Sequence, residues 1–206
     1  TATEILRGLV GSEMCIRDPA KAAQDHCDKH CVKMILEYAQ LLSTAHRVLD
    51  GQQIITKNKN GGKLTTWIFK DRELENKYYR PCHVKHPSNI WVRDSLQNYH
   101  WLYKLFLALG QEFEKRYNKK HLSILKLKDA LNTPPMNISF NNEFTEPTPA
   151  MPEYCKIPND SLASYRKYYI KEKHFAEWKY SETPQWYLKG KEEEQKSELS
   201  FYEALV

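Results

Sequence analysis

Between Pro19 and Leu49, apolar side chains return every three or four positions: Cys27, Cys31, Met34, Tyr38, Leu41, Leu42, Ala45 and Leu49. That period belongs to a helix with one apolar stripe, and it predicts a first helix over residues 19–49. Pro19 fits a first helical turn with Asp18 as its cap, and Asp50-Gly51 ends the pattern. His26, His30, Lys33, Glu37, Gln40 and Thr44 fall on another, polar face. A second stripe of Trp91, Ser95, Tyr99, Leu102, Phe106, Leu109 and Phe113 predicts a long core helix. It runs from Pro87-Ser88, with Ser88 as N-cap, to about Tyr117. Weaker periodicity predicts a third helix over 121–131 and a fourth over 161–178 opened by Asp160.

The intervening segments read differently. Residues 52–86 form a connection with some strand character, in which 64–69 suit a short strand and Lys57-Asn58-Lys59-Asn60-Gly61-Gly62-Lys63 a flexible basic turn. Residues 133–158 carry six prolines (134, 135, 147, 149, 152, 158) and predict an irregular arm. From Lys191 onward five Glu accumulate, the pattern of a solvated acidic tail. The fold class expected is therefore mainly α. One domain over 18–190 has a long central helix packed against two or three others, with irregular Pro-rich arms, and 191–206 form the tail. Only seven Gly in 206 residues argue against an all-β chain.

Composition adds limits more than direction. A net charge of +5 suits a polyanionic partner without requiring one. No apolar run approaches the roughly 18 residues of a membrane helix. Five Cys, an odd number without framework spacing, and no secretory pattern suggest a reduced, cytoplasmic setting in a bacterial or phage-infected cell, with a monomer expected. Residues 7–18, Arg-Gly-Leu-Val-Gly-Ser-Glu-Met-Cys-Ile-Arg-Asp, match the translated read-through of a sequencing adapter, so residues 1–17 are set aside as an artefact.

Two segments 150 residues apart carry the candidate chemistry: Asp28 to Glu37, and Thr183 to Lys191. Glu37 is the candidate acid–base group, with His30 as orienting or phosphate group and Lys33 one turn away. A Lys33–Glu37 ion pair on a wet helix face accounts for the same spacing. Trp186 and Tyr187 could stack on an extruded base or anchor the end of the chain, and Lys189 and Lys191 beside them suit phosphate. His86 and Arg93 flank a helix N-terminus, where an anion would offset an Arg that opposes the dipole. Lys104, Lys115, Arg116, Lys119, Lys120, Arg166, Lys167 and Lys171, interleaved with Tyr, suit nucleic acid or simply water. His26 and His30, with Cys27 and Cys31, hold metal-ligand residue types, but the two spacings face different sides of one helix and no CxxC pair exists. No metal is expected.

On Asp28, His30 and Glu37, and again on Pro184, Trp186, Tyr187, Gly190 and Lys191, the chain resembles the phage pyrimidine-dimer DNA glycosylases of the endonuclease V type. It looks closer to an uncharacterised phage branch with Asp-Lys-His-x-Val-Lys-Met-x-Leu-Glu and His-Pro-Ser-x-x-Trp-x-Arg, here residues 28–37 and 86–93. That resemblance spans most of residues 19–190, whereas the characterised enzyme is matched at two short motifs. It implies base excision and abasic-site cleavage on double-stranded DNA through a Schiff base, with an N-terminal α-amine as nucleophile, Glu37 in acid–base work and no cofactor. A non-catalytic phage nucleic-acid- or protein-binding module is the alternative. The chain departs from the family in three ways: the adapter-like segment stands where the nucleophilic terminus is expected, so Thr1 is not assigned that role; Leu36 and Gln40 stand in place of two arginines; and residues 52–86 and 133–158 are additional.

Overall fold

The computed structural model describes residues 18–203 apart from 142 and 148, so the expectation for 1–17 lies outside the described residues. The element order is α1 (Pro19–Asp25), α2 (Asp28–Asp50), β1 (Gln52–Lys57), β2 (Lys63–Ile68), α3 (Arg72–Lys77), α4 (Pro87–Asp94), α5 (Leu96–Tyr117), α6 (Leu122–Leu131), a short 3-10 turn (Glu153–Cys155), α7 (Ser161–Glu172) and α8 (Gln185–Glu203). The chain is mainly helical, as its periodicity requires. Both apolar stripes are buried, and α5 packs against α1, α2, α4 and α6 as the central helix.

Five features of the helices differ from the sequence reading. The first helix is broken at His26 and Cys27, which are extended. The carbonyls freed there are taken by buried Arg116, which donates to Gln24 O at 3.0 Å and His26 O at 2.8 Å. Arg116 also pairs with Glu112 at 2.8 Å and Asp28 at 3.2 Å. A helix end needs such partners, and here one side chain from another helix supplies two. The second helix breaks at Ser95, whose Oγ caps Asn98 N at 3.1 Å and donates to Glu143 O at 2.9 Å. Ser95 keeps the stripe in register while turning the chain, so periodicity alone does not reveal the break. His86, not Ser88, is the N-cap of α4: its Nδ1 accepts from Ser88 N at 3.2 Å, with Pro87 as the first helical residue. The fourth helix ends at Glu172, and the acidic segment after Lys191 continues α8 as helix.

The connection 52–68 is a two-stranded antiparallel hairpin, of which only the second strand was expected. Its tip is ordered by Asn58. The side-chain oxygen accepts from Asn60 N and Gly62 N, both at 2.9 Å, and Gly61 takes a positive φ of 79°. At its base, the buried Arg47 of α2 donates to Trp67 O, Glu75 O, Tyr78 O and Tyr79 O as well as to the Glu75 carboxylate. Arg47 therefore ties the hairpin and residues 75–79 to α2.

A smaller cluster closes the other end. Cys27, Tyr169, Ala176 and Trp178 are packed with Trp186 and Tyr187. Gly190 lets α8 lie on α7: a Cβ there would fall 2.1 Å from Ile170 Cδ1.

Candidate functional site

Glu37 projects from the middle of α2, one turn after Lys33. The sequence places it on a polar face, yet it is only 5 % exposed, because α2 is covered on nearly all sides. The exposed strip of α2 carries Lys29, Val32, Lys33 and Leu36 instead. One carboxylate oxygen, Oε1, meets Lys33 Nζ at 3.2 Å. The other, Oε2, is buried with no hydrogen-bond partner among the described residues. Burial pushes the Glu37 carboxyl above its ordinary 4.5, and the charges of Lys33 and Lys173 pull part of the way back. An acid held above its usual range, with an unsatisfied oxygen, is the state that proton exchange needs.

The surroundings come from two further segments. Lys173, at the C-terminal cap of α7, is buried; its Nζ donates to Tyr168 Oη at 3.1 Å and lies over the Tyr168 ring at 4.4 Å. On another side is Cys82, whose thiol is pushed up chiefly by burial and also by the negative charge of Glu37. Cys82 N donates to Thr44 Oγ1 at 3.2 Å, which fixes residues 82–83 against α2 two turns after Glu37. Nothing in the sequence pattern singles out Lys173 or Tyr168. Lys173 stands in a Lys- and Tyr-rich stretch that looks uniformly wet, and its burial follows from the early end of α7.

The two widely separated segments do meet. His30, 5 % exposed, is hydrogen-bonded through Nδ1 to the Tyr169 hydroxyl. Tyr169 stands edge-on to Trp186 with ring centroids 5.8 Å apart. Trp186 Nε1 donates to Asp25 Oδ2 at 3.0 Å, and Tyr187 lies against Trp178 at 4.8 Å. Asp28 accepts from Lys179 N at 2.6 Å and pairs with Arg116. Asp28, His30, Trp186, Tyr187 and Gly190 therefore join α2 to the end of the chain, a packing role present whatever else they do. Lys189 is exposed beside them, and Lys191 pairs with Glu194 at 2.7 Å.

His86 and Arg93 belong to a separate region. The break at Ser95 puts Arg93 in the last turn of α4, where its charge favours the helix dipole, so the anion argument made for it falls away. Its guanidinium donates to Asn89 O at 3.0 Å and Val84 O at 2.7 Å. Burial lowers the affinity of His86 for a proton. Arg116, read as part of a basic face, is instead a buried joint. The helix break separates His26 from His30, and no cluster of metal-ligating side chains exists among the described residues. Cys31, Cys82 and Cys155 are free thiols. No described helix is long and apolar enough to cross a membrane. Comparison of the chain with protein-family models, with curated proteins and with solved structures found no match.

Proposed function

We propose that this chain is a DNA-repair glycosylase with abasic-site lyase activity on damaged or modified pyrimidines, with Glu37 as its acid–base group. The observation that carries the reading is the Glu37 carboxyl: buried, raised in pKa by that burial, paired with Lys33 through one oxygen, within electrostatic reach of Lys173, and with the other oxygen unpartnered among the described residues. In this reaction class an amine attacks the sugar C1′ and the bond to the base breaks, the base leaving with a proton. Ring opening at O4′ then gives a protonated Schiff base. Removal of a C2′ proton expels the 3′ phosphate and cuts the strand. Glu37 would carry the proton to O4′ and later take one from C2′. Lys33 and Lys173 supply positive potential for the phosphates on either side of the reacting sugar. The resemblance at Asp28, His30 and Glu37 assigns the attacking amine to an N-terminus.

The test is base release and strand scission on a duplex carrying a thymine dimer and on one carrying an abasic site. Glu37→Gln should lower scission by about 10²- to 10⁴-fold, the usual contribution of general acid–base catalysis, while duplex binding is retained. Scission unchanged in Glu37→Gln would remove the acid–base assignment. Binding with no scission by the parent chain would leave a nucleic-acid-binding module.

A further inference from the structure

The additional hairpin has properties that base excision at Glu37 does not use. Its register sets Lys57 directly opposite Lys63, Ile55 opposite Thr65 and Gln53 opposite Trp67, all on one face of the ribbon. Like charges directly across a ladder destabilise it, and nothing acidic compensates: residues 51–70 contain Lys57, Lys59, Lys63 and Lys70 and no Asp or Glu. The face is also bare, with Ile55 70 % exposed. Asn58 holds the turn in one conformation, so the three tip lysines are presented on an ordered loop.

That same face forms one wall of a crevice of about 910 Å3. Gln53, Thr65 and Trp67 line it from the ribbon, and His83, Lys85 and His86 from the segment leading into α4. Residues 76–93 again hold no acid, while Lys77, Arg80, Lys85 and Arg93 are present. Lys85 thus puts a cation in the crevice lining, Lys57 and Lys63 extend the same ribbon face beyond Thr65, and Trp67 makes the lining part aromatic. A two-stranded ribbon matches the width of the DNA major groove, and lysines at its tip reach the flanking phosphates.

We propose that the β1–β2 hairpin and the 81–87 segment form a docking surface for duplex DNA, with the ribbon entering a groove and one phosphate backbone running along the crevice past Lys57, Lys63 and Lys85. This rests on the proposed function only in taking DNA as the polyanion; its residues are separate from Glu37.

The experiment is fluorescence anisotropy of an undamaged labelled duplex, titrated with the full chain at stepped salt. The parent is compared with Lys57→Gln/Lys63→Gln and with Lys128→Gln/Lys196→Gln, two exposed lysines outside every basic group named above, as a charge-matched control. The hairpin pair should weaken binding on the order of tenfold and reduce the salt slope by about 2, since each phosphate contact contributes about 0.9. The control should do neither. Equal affinity and slope for parent and hairpin variant would overturn the proposal. So would equal losses in both variants, a hairpin-dependent preference for the single strand, or hairpin-dependent sedimentation with phosphatidylglycerol vesicles in place of duplex binding. Unchanged circular dichroism melting of the hairpin variant certifies its fold, since the substituted side chains are exposed. Hairpin-dependent binding without strand scission would keep this proposal and remove the catalytic one. Scission with hairpin-independent binding would do the reverse.

Discussion

Glu37, the proposed acid–base group, also bears on stability. Its pKa is raised in the folded chain, so the native state holds a proton that the unfolded state has already lost. Across the window above 4.5, folding stability therefore falls as pH rises. Glu37→Gln removes this pH dependence and the cost of a buried carboxylate oxygen without a partner among the described residues. Thermal melting of that variant at pH 7 should match or exceed the parent, and a clearly lower Tm would show Glu37 to be a structural ion-pair partner. His46 gives the opposite slope. Burial pushes it down to about 4 from 6.5, where it stacks on Tyr78 at 4.4 Å and meets Tyr99 Oη at 2.8 Å. The unfolded chain binds this proton first on acidification, so stability is lost as pH falls from 6.5 toward 4. His46→Gln should flatten denaturant midpoints measured across that window, and an unchanged slope would assign the acid sensitivity to other groups.

At the scale of elements, two buried arginines and one glycine decide how helices meet. Arg116 joins α5 to the end of α1 and the start of α2, with Glu112 and Asp28 as counter-charges. Arg116→Met leaves those charges and the α1 carbonyls uncompensated and should cost about 3–5 kcal/mol by denaturant unfolding; a loss below about 1 kcal/mol would mean that the joint relaxes freely. Gly190→Ala drives a methyl into Ile170 and should cost about 1–3 kcal/mol, with Ile170→Ala in the same chain recovering part of the loss. Additive losses would contradict the contact. Helix identity was readable from sequence because Cys31, Met34, Tyr38 and Leu42, and Tyr99, Leu102, Phe106 and Leu109, repeat at helical period and are buried. The interruptions at His26–Cys27 and at Ser95 were not, since both lie on the stripes and are fixed by Arg116 and Glu143, residues distant in sequence. Glu37 was found by its spacing from His30, but its burial was not foreseeable, nor was the approach of Lys173 or Cys82, which depends on where α7 ends and on the anchor between Thr44 and Cys82.

For the whole molecule, the central helices α2 and α5 support two unlike regions. One is the buried Glu37 carboxyl, paired with Lys33 and in electrostatic reach of Lys173 and Cys82. The other is the cationic hairpin and crevice, anchored to α2 through Arg47. In the proposed function, covalent chemistry belongs to the first alone. The most direct measurement is borohydride trapping on a duplex with a single abasic site, followed by peptide mapping of the adduct. The account predicts a covalent protein–DNA complex formed through an amine, with strand scission in the absence of borohydride that Glu37→Gln suppresses. No trapped complex, under conditions where the duplex is bound, would contradict it.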